Sequence, residues 1–222
     1  MSAAVRAAPY TRRGDVMDTS NDALRISPKF SSRDWNALQR TEPADWARAA
    51  EMVRDRLEGR FLRFADVCLQ DPFSGFVVLA IDSLLAETIQ QFQAGETDGR
   101  RKSKRYVMQF LSGPRFQPDF DEDARVRFYE DIRCGLLHQA EAKEMWLVRR
   151  RQRMMLRKVA GGQGYIIDVQ RFHVAVRQSL EDYCRAIADA AQETLRANLW
   201  GKMEQICDIR TRRGLLYAAD AD

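Results

Sequence analysis

An arginine and a histidine separated by four residues are the side chains in this sequence best suited to chemistry. They are Arg133 and His138, and His138 is one of only 2 histidines among 222 residues. Histidine exchanges a proton near neutral pH, whereas arginine is a permanent planar cation that binds phosphate oxygens and stabilises developing negative charge. Together, the two side chains suit the metal-independent cleavage of a phosphodiester by its own 2′-hydroxyl group.

The helix that carries this pair does not by itself bring the two side chains together. An apolar stripe at intervals of four residues predicts a helix with one buried face, and it consists of Ala124, Phe128, Ile132 and Leu136. Five positions along a regular α-helix give a net rotation of about 140°. Arg133 and His138 therefore converge only if the helix is irregular near Gly135 or if a second chain completes the site. The alternative is a buried histidine bonded to the backbone and an arginine paired with Asp131 or Glu130.

The rest of the sequence predicts an all-α bundle of four to five principal helices around this segment. Apolar residues recur at helical spacing in most of it, and the stretch from Phe73 to Phe92 is apolar over much of its circumference, which is typical of a central helix. The predicted elements are helices at 41–69 (interrupted at Gly59), 73–95, 106–111, 119–139 and about 170–207, with a small β-hairpin near 145–169.

The composition predicts one domain with two tails. Residues 1–28 are small, polar and without pattern, so we expect a flexible N-terminal tail, then a single helical domain at 29–209 and a C-terminal tail at 210–222. No run of about 18 apolar residues occurs, so neither a membrane-spanning helix nor a membrane partner is expected. The N-terminal residues lack the apolar core of a secretory signal, and a cytoplasmic protein is expected.

Two basic segments are candidate phosphate contacts. The formal net charge is +4 and the isoelectric point is about 9.0, which suits a polyanionic partner such as RNA. If residues 145–169 form a hairpin, alternate arginines share one face. The candidate RNA-binding residues are Arg100, Arg101, Lys102, Lys104, Arg105, Arg149, Arg151, Arg153 and Arg157. The alternative for both segments is a solvated, solubilising surface.

The sequence predicts neither a metal site nor a cofactor. The cysteines at positions 68, 134, 184 and 207 lack C-x-x-C spacing, so free thiols in a reducing cytosol are expected. His173 lies near no acidic or cysteine cluster in the sequence, and we interpret it as a structural or surface histidine. Gly161 to Gly164 lacks the Lys-Ser/Thr that follows in a phosphate-binding loop, and a turn is the favoured interpretation.

The segment around Arg133 resembles the signature of the HEPN superfamily, whose members are all-helical domains. That signature is an arginine, four to six intervening residues and a histidine, and it reads here Arg133-Cys-Gly-Leu-Leu-His138 on an aromatic-rich amphipathic helix. The helix from Phe76 to Gly95 is similar to the HEPN helix that packs against the signature, with Glu87 as an acidic residue late in it. The resemblance covers roughly residues 45–200, but only Arg133 to Ala140 is specific.

The resemblance implies a homodimer that brings two copies of the motif together in a cleft. Many HEPN domains are metal-independent endoribonucleases that leave a 2′,3′-cyclic phosphate and a 5′-hydroxyl. By this likeness His138 is the general acid or base and Arg133 positions or stabilises the phosphate. The supporting candidates are Glu87, Tyr129, Asp131, Cys134 and Gln139. The implied setting is a toxin–antitoxin or phage-defence system, with an antitoxin or other regulatory protein as partner.

One position departs from the pattern of active HEPN domains. These often carry Asn, Asp or His directly after the arginine, whereas this chain has Cys134, a weak hydrogen-bonding group. Two other hypotheses therefore stay open. The chain is a non-catalytic HEPN-like dimer that binds RNA, a nucleotide or a protein partner, or it is a helical scaffold in which the motif is accidental.

Overall fold

The protein is mainly helical, with one small three-stranded sheet. The computed structural model describes residues 24–99, 101–159, 161 and 164–208, so most of the two predicted tails lies outside the described residues. The α-helices are α1 (Ser32–Asn36), α2 (Pro43–Leu57), α3 (Arg63–Cys68), α4 (Gly75–Ala94), α5 (Ser103–Leu111), α6 (Glu122–Arg127), α7 (Cys134–Gln139), α8 (Val169–Ala188) and α9 (Glu193–Cys207). Two π-helical segments, Glu58–Leu62 and Phe128–Arg133, join α2 to α3 and α6 to α7.

Helix α4 lies at the centre of the fold, as its apolar sequence predicts. It packs against α3, α5, α8 and α9, and its residues Leu79, Leu85 and Ile89 are completely buried. The helix ends at Gly95, which has a φ of 65° and lies so close to α9 that a Cβ atom would be 2.7 Å from the Oδ1 atom of Asn198. Only glycine combines this left-handed conformation with such a close approach.

Helix α4 is also the one helix in the described ranges that is long and apolar enough to cross a membrane. Its 18-residue window has a mean hydropathy of 1.2, and 44% of that window is buried inside the fold. Core helices meet the same criterion of length and composition. The burial of Asp82 and Ser83 within α4 is typical of a helix that contacts protein on several sides.

The fold begins earlier than the predicted domain boundary at residue 29. Leu24, Ile26 and Ser27 are buried, and Arg25 forms an isolated antiparallel bridge with Ser31. Residues 24–28 were assigned to the tail because their apolar side chains are too few for a periodic pattern. They are held instead by tertiary contacts, such as the guanidinium of Arg56, which donates to the carbonyl oxygen of Ile26.

The predicted β-structure near 145–169 is present, but it is a three-stranded sheet and not a hairpin. The strands are β1 (Met145–Arg149), β2 (Leu156–Lys158) and β3 (Gly164–Asp168), in the order β1-β3-β2. Strand β3 pairs parallel with β1 and antiparallel with β2. Directly after β1, Arg150 donates to the carbonyl oxygens of Leu69 and Asp71. These hydrogen bonds fix the connection to β2 against the loop between α3 and α4.

The long helix predicted from about 170 to 207 is two helices, α8 and α9. The break occurs at Asp189, whose carboxylate accepts a hydrogen bond of 3.0 Å from the backbone N–H of Ala191. Such a bond competes with the helical backbone pattern and favours a turn. Arg196 of α9 then donates to the carbonyl oxygens of Ile187 and Ala188, which satisfies the end of α8. Apolar periodicity alone does not reveal this turn, since the apolar pattern resumes after it.

Candidate functional site

The predicted helix around Arg133 is present, with an irregularity in a different place from the one expected. Asp121 caps α6 by accepting a hydrogen bond of 2.8 Å from the N–H of Ala124, and the buried Phe128 and Ile132 anchor the helix to the core. The helix widens into a π-helical turn over Phe128–Arg133, before Gly135, and then continues as α-helix through His138. π-Helical turns inside α-helices are frequent at functional sites.

Gly135 permits a close approach of the returning chain and does not bend the helix. Ala140 follows α7 in a left-handed conformation, with a φ of 56°, and the chain then turns back along the helix. A Cβ atom on Gly135 would lie 2.4 Å from the carbonyl oxygen of Glu141. The turned-back segment is fixed by the N–H of Lys143, which donates to the carbonyl oxygen of Asp131 at 3.0 Å.

Arg133 is held by an ion pair with Glu87 of α4. Its Nη2 atom lies 2.9 Å from the Oε2 atom of Glu87, and the guanidinium lies 5.7 Å from the ring centre of Tyr129. The Nε–H of Arg133 is buried and has no hydrogen-bond partner among the described residues. Leaving a buried donor unpaired costs about 1–3 kcal/mol, so the fold does not use the whole hydrogen-bonding capacity of this side chain.

Glu87 connects three elements at this point. Besides Arg133, it accepts hydrogen bonds from the Oγ–H of Ser103, at 2.5 Å, and from the Nε2–H of Gln91, at 3.2 Å. Ser103 is the first residue of α5, so the start of α5 lies beside Arg133. The carboxylate therefore fixes the guanidinium relative to both α4 and α5.

His138 is exposed, and it does not form a site with Arg133 within one chain. Among the described residues it takes part in no hydrogen bond or ion pair. Residues 134–139 are regular α-helix, so the rotation of about 140° between the two positions applies. One chain therefore presents Arg133 and His138 in different directions.

The supporting candidates have different surroundings. Asp131 is buried and accepts a hydrogen bond of 3.1 Å from the indole N–H of Trp146, so it contributes to the core. Burial raises the pKa of Asp131, and the hydrogen bond from Trp146 offsets part of that rise. Tyr129 lies against Arg133, Cys134 is a half-buried free thiol, and Gln139 is exposed.

The basic segment before α5 is only partly paired. Lys102 contacts Glu96 at 2.5 Å, and Lys104 contacts Glu130 at 2.6 Å. Arg101 and Arg105 are exposed and form no ion pair within the described residues, whereas Arg100 lies outside them. Two cations of this segment therefore remain available to an anionic ligand.

The second basic segment does not present the single face that a hairpin would give. Its four candidate residues are all exposed, and they are Arg149, Arg151, Arg153 and Arg157. Arg151 and Arg153 lie between the strands, and Arg151 has a left-handed φ of 58°, so the regular alternation of a strand is lost. Arg149 and Arg153 line two different pockets, in place of the one face that the sequence predicted.

The structure reveals a charged network around His173 that the sequence interpretation missed. His173 is 2% exposed, and its Nδ1 and Nε2 atoms lie 2.9 Å and 3.1 Å from carboxylate oxygens of Asp82 and Asp66. Arg177, one turn further along α8, contacts both Asp66 and Glu58, and Glu58 begins the first π-helical segment. Asp82 and His173 are separated by 91 positions, so no local pattern announces their pairing.

The surroundings of the buried histidine and aspartate shift the pKa of both groups. Burial alone would lower the pKa of His173, but the hydrogen bonds and charges of Asp82 and Asp66 outweigh it, and the net effect is a raised pKa. Burial also raises the pKa of Asp82, whose Oδ2 atom has no partner among the described residues. Both imidazole nitrogens are engaged by carboxylates. No group of three or more metal-ligating side chains occurs in the described part of the chain.

Comparisons of the chain with protein-family models, with curated proteins and with solved structures found no significant match. The interpretation of the site therefore depends on the geometry of the chain itself.

The close approach at Gly135 makes a specific prediction about stability. Gly135→Ala should destabilise the protein by about 1–3 kcal/mol, because the methyl group overlaps the backbone of the returning segment. The matched control is Gly201→Ala on α9, where nothing lies within 4 Å of the new Cβ atom, and this change should be neutral or slightly stabilising. Urea unfolding of both variants measures the difference, and equal stabilities would contradict the packing described for Gly135.

Replacement of the two histidines should affect the stability of the protein to very different extents. His173→Ala should cost about 3–5 kcal/mol of unfolding free energy, because it leaves Asp82 buried without its partner. His138→Ala should leave the unfolding free energy nearly unchanged, because His138 is exposed. Chemical denaturation at pH 6 checks both values.

The raised pKa of His173 also predicts how the stability of the wild-type protein depends on pH. The folded state retains a proton that the unfolded chain releases near pH 6.5, so the contribution is complete below that pH and is lost as the pH rises through the folded-state pKa. The unfolding free energy should therefore fall above about pH 6.5 in wild type and in His138→Ala alike. A flat profile over pH 6–9 would contradict a raised pKa of His173 in the folded state.

Proposed function

We propose that this protein is a HEPN-like, metal-independent endoribonuclease that acts as a homodimer. The observation that carries the proposal is the arrangement of Arg133, whose guanidinium is oriented by Glu87 yet keeps a buried Nε–H without a partner. The side chain is 20% exposed, so a phosphate oxygen can reach the guanidinium, and arginine binds phosphate through several N–H groups at once. The signature spacing to His138 supplies the proton-transfer group.

The exposed side of α4 supports a homodimer next to Arg133. Helix α4 and the turn before it expose a stripe of large apolar side chains, which we call the α4 apolar face, and it consists of Phe73, Phe76, Val77 and Leu84. These residues lie at helical spacing on one side of α4, and Glu87 follows three positions after Leu84 on the same side. The α4 apolar face therefore runs up to the ion pair between Glu87 and Arg133.

A second copy of the chain is the occupant proposed for the α4 apolar face. Phe73 is 92% exposed, and apolar side chains exposed next to one another mark interaction surfaces. A two-fold axis that runs along α4 at this face would make each surface its own partner and would bring the two Arg133 residues to the same end of the interface. His138 of one chain would then approach Arg133 of the other, which removes the difficulty that the two do not converge within a chain.

The reaction uses these two side chains in distinct roles. His138 accepts the proton of the 2′-hydroxyl group, the 2′-oxygen forms a bond to phosphorus, and the bond from phosphorus to the 5′-oxygen breaks. The 5′-oxygen takes up a proton from water and leaves as a hydroxyl, and His138 returns its proton to the solvent, so the other product is a 2′,3′-cyclic phosphate. Arg133 stabilises the negative charge that develops on the phosphate oxygens, and Glu87 keeps the guanidinium in position.

The activity predicts a defined pattern among variants. Purified protein in EDTA should cleave labelled RNA to products with 2′,3′-cyclic phosphate ends. His138→Ala and Arg133→Ala should each reduce the rate by about 100-fold or more, and Arg133→Lys should not restore it because lysine lacks the planar fork. The matched control is Arg127→Ala on the same helix, which removes an exposed pair with Asp123 and should retain the rate.

Two outcomes of this assay would contradict the proposed activity. Cleavage that is abolished by EDTA would mean that a metal ion takes part in the reaction. RNA binding without cleavage would favour the non-catalytic dimer, for which the replacement of a polar residue by Cys134 next to Arg133 is the supporting observation.

The proposed interface makes a separate prediction about oligomeric state. Val77→Asp should convert the dimer to a monomer, because it puts a charge into the α4 apolar face. The matched control is Val174→Asp on α8, since Val77 and Val174 are 51% and 49% exposed. Light scattering after size-exclusion chromatography measures the mass, and a dimer that persists in Val77→Asp would place the interface elsewhere.

A further inference from the structure

A basic groove lies between α5 and α6. Its volume is about 610 Å³, and its lining includes four cationic side chains and one acidic one. The cations are Arg101, Lys104, Arg105 and Arg125, and the acid is Glu122. Gln109 and Ser112 also line the groove and add uncharged donors. Arg125 is not among the RNA-binding residues predicted from the sequence.

Lys104 pairs with Glu130, but the three arginines of the groove are not used by the fold. Elsewhere in the chain, arginines such as Arg115 and Arg177 have carboxylate partners within 4.0 Å. Arg101, Arg105 and Arg125 form no ion pair within the described residues, although Glu122 lines the same groove. Unpaired cations brought to one concave surface attract an anionic ligand.

The cations at the start of α5 also lie where they destabilise the helix. Lys104 and Arg105 occupy the first turn of α5, which contains no acidic residue, and Arg101 precedes it in a left-handed conformation with a φ of 62°. Cations at a helix N-terminus are unfavourable because that end carries partial positive charge. A left-handed residue other than glycine adds a cost of about 1 kcal/mol. Two unfavourable local features, cations at a helix N-terminus and a left-handed arginine, thus occur at the same surface. Such a combination indicates a functional constraint.

The groove is connected to the proposed catalytic residues. Ser103 of α5 donates to Glu87, which holds Arg133, and Lys104 pairs with Glu130 on the π-helical segment that ends at Arg133. Lys104, Arg105 and Met108 lie on the face of α5 that lines the groove, and the lining continues past the end of the helix to Ser112. An anionic chain bound at Arg133 therefore meets a row of cations as it continues along α5.

We infer that the groove binds the sugar-phosphate backbone of a single-stranded RNA on one side of the scissile phosphate. The identity of the ligand rests on the proposed function, whereas the binding surface rests on the groove itself. Arginine fits the tetrahedral oxygens of successive phosphates, and such contacts set affinity and register without reading the base sequence. The groove is thus a binding surface outside the pair formed by Arg133 and His138.

The test measures RNA binding apart from cleavage. A fluorescein-labelled single-stranded RNA is titrated against the His138→Ala protein in EDTA, with anisotropy as the readout, at several salt concentrations. The test variant adds Arg105→Gln and Arg125→Gln. The matched control adds Arg63→Gln and Arg185→Gln, which remove the same charge from exposed positions on α3 and α8.

The expected result is a change in the groove variant alone. The plot of log binding constant against log salt concentration has a negative slope. Loss of two phosphate contacts to a single strand should make that slope less steep by about 1.4 and weaken binding by roughly 10-fold. The control should stay within about 2-fold of the parent protein. Equal affinities of the groove variant and the control would overturn the proposal. A second result would also overturn it. If the protein binds polyglutamate but not the RNA, and if that binding is lost in the Arg105→Gln, Arg125→Gln variant, the ligand of the groove is an acidic protein segment.

A kinetic measurement separates this proposal from the proposed function. In the protein that retains His138, Arg105→Gln with Arg125→Gln should raise KM and leave kcat nearly unchanged, since neither arginine touches the reacting atoms. If RNA is bound through the groove and never cleaved, the binding surface stands and the catalytic proposal fails. If RNA is cleaved and KM is unaffected, the groove proposal fails alone.

Discussion

The ion pair between Glu87 and Arg133 is the interaction on which the candidate site depends. Its 2.9 Å contact joins the central helix to the end of a π-helical turn, and Ser103 adds the start of α5 to the same carboxylate. Removing either charge would leave its partner half-buried and unpaired, which is more costly than never having formed the pair. The pair therefore fixes a cation at the junction of three helices and leaves one of its donors unpaired.

Helix α4 carries a second polar anchor, and the two anchors have different consequences. Asp82 is completely buried and lies 2.9 Å from the Nδ1 atom of His173, so it binds α4 to α8 inside the core. Glu87 lies at the surface end of the α4 apolar face, where a second chain and an RNA strand would meet Arg133. One helix thus combines a core function, a proposed interface and the orientation of the candidate catalytic arginine.

Much of the fold was predictable because apolar periodicity records which side of a helix is buried. The stripe from Ala124 to Leu136 and the nearly all-apolar α4 were of this kind, and both helices are present. Features that depend on distant partners were not predictable. They include the π-helical turns, the pairing of β1 with β3, and the contact of His173 with Asp66, which lies 107 positions away.

The roles of Arg133 and His138 stay a prediction from the signature spacing. The resemblance proposed Glu87 as a supporting residue, and Glu87 does contact Arg133. Arg125 and the groove were not foreseen, because the groove forms only when α6 packs beside α5. Gly135 was singled out correctly as an unusual position, but its physical reason is the returning backbone at Glu141.

The central claim is that one chain provides half of a site. It is tested most directly by mixing two inactive proteins, Arg133→Ala and His138→Ala, under conditions in which subunits exchange. A mixed dimer retains one Arg133 and one His138 on different chains. If the site combines residues of two chains, the mixture should recover RNA cleavage in EDTA. A mixture that contains verified mixed dimers and is as inactive as either parent would contradict the account.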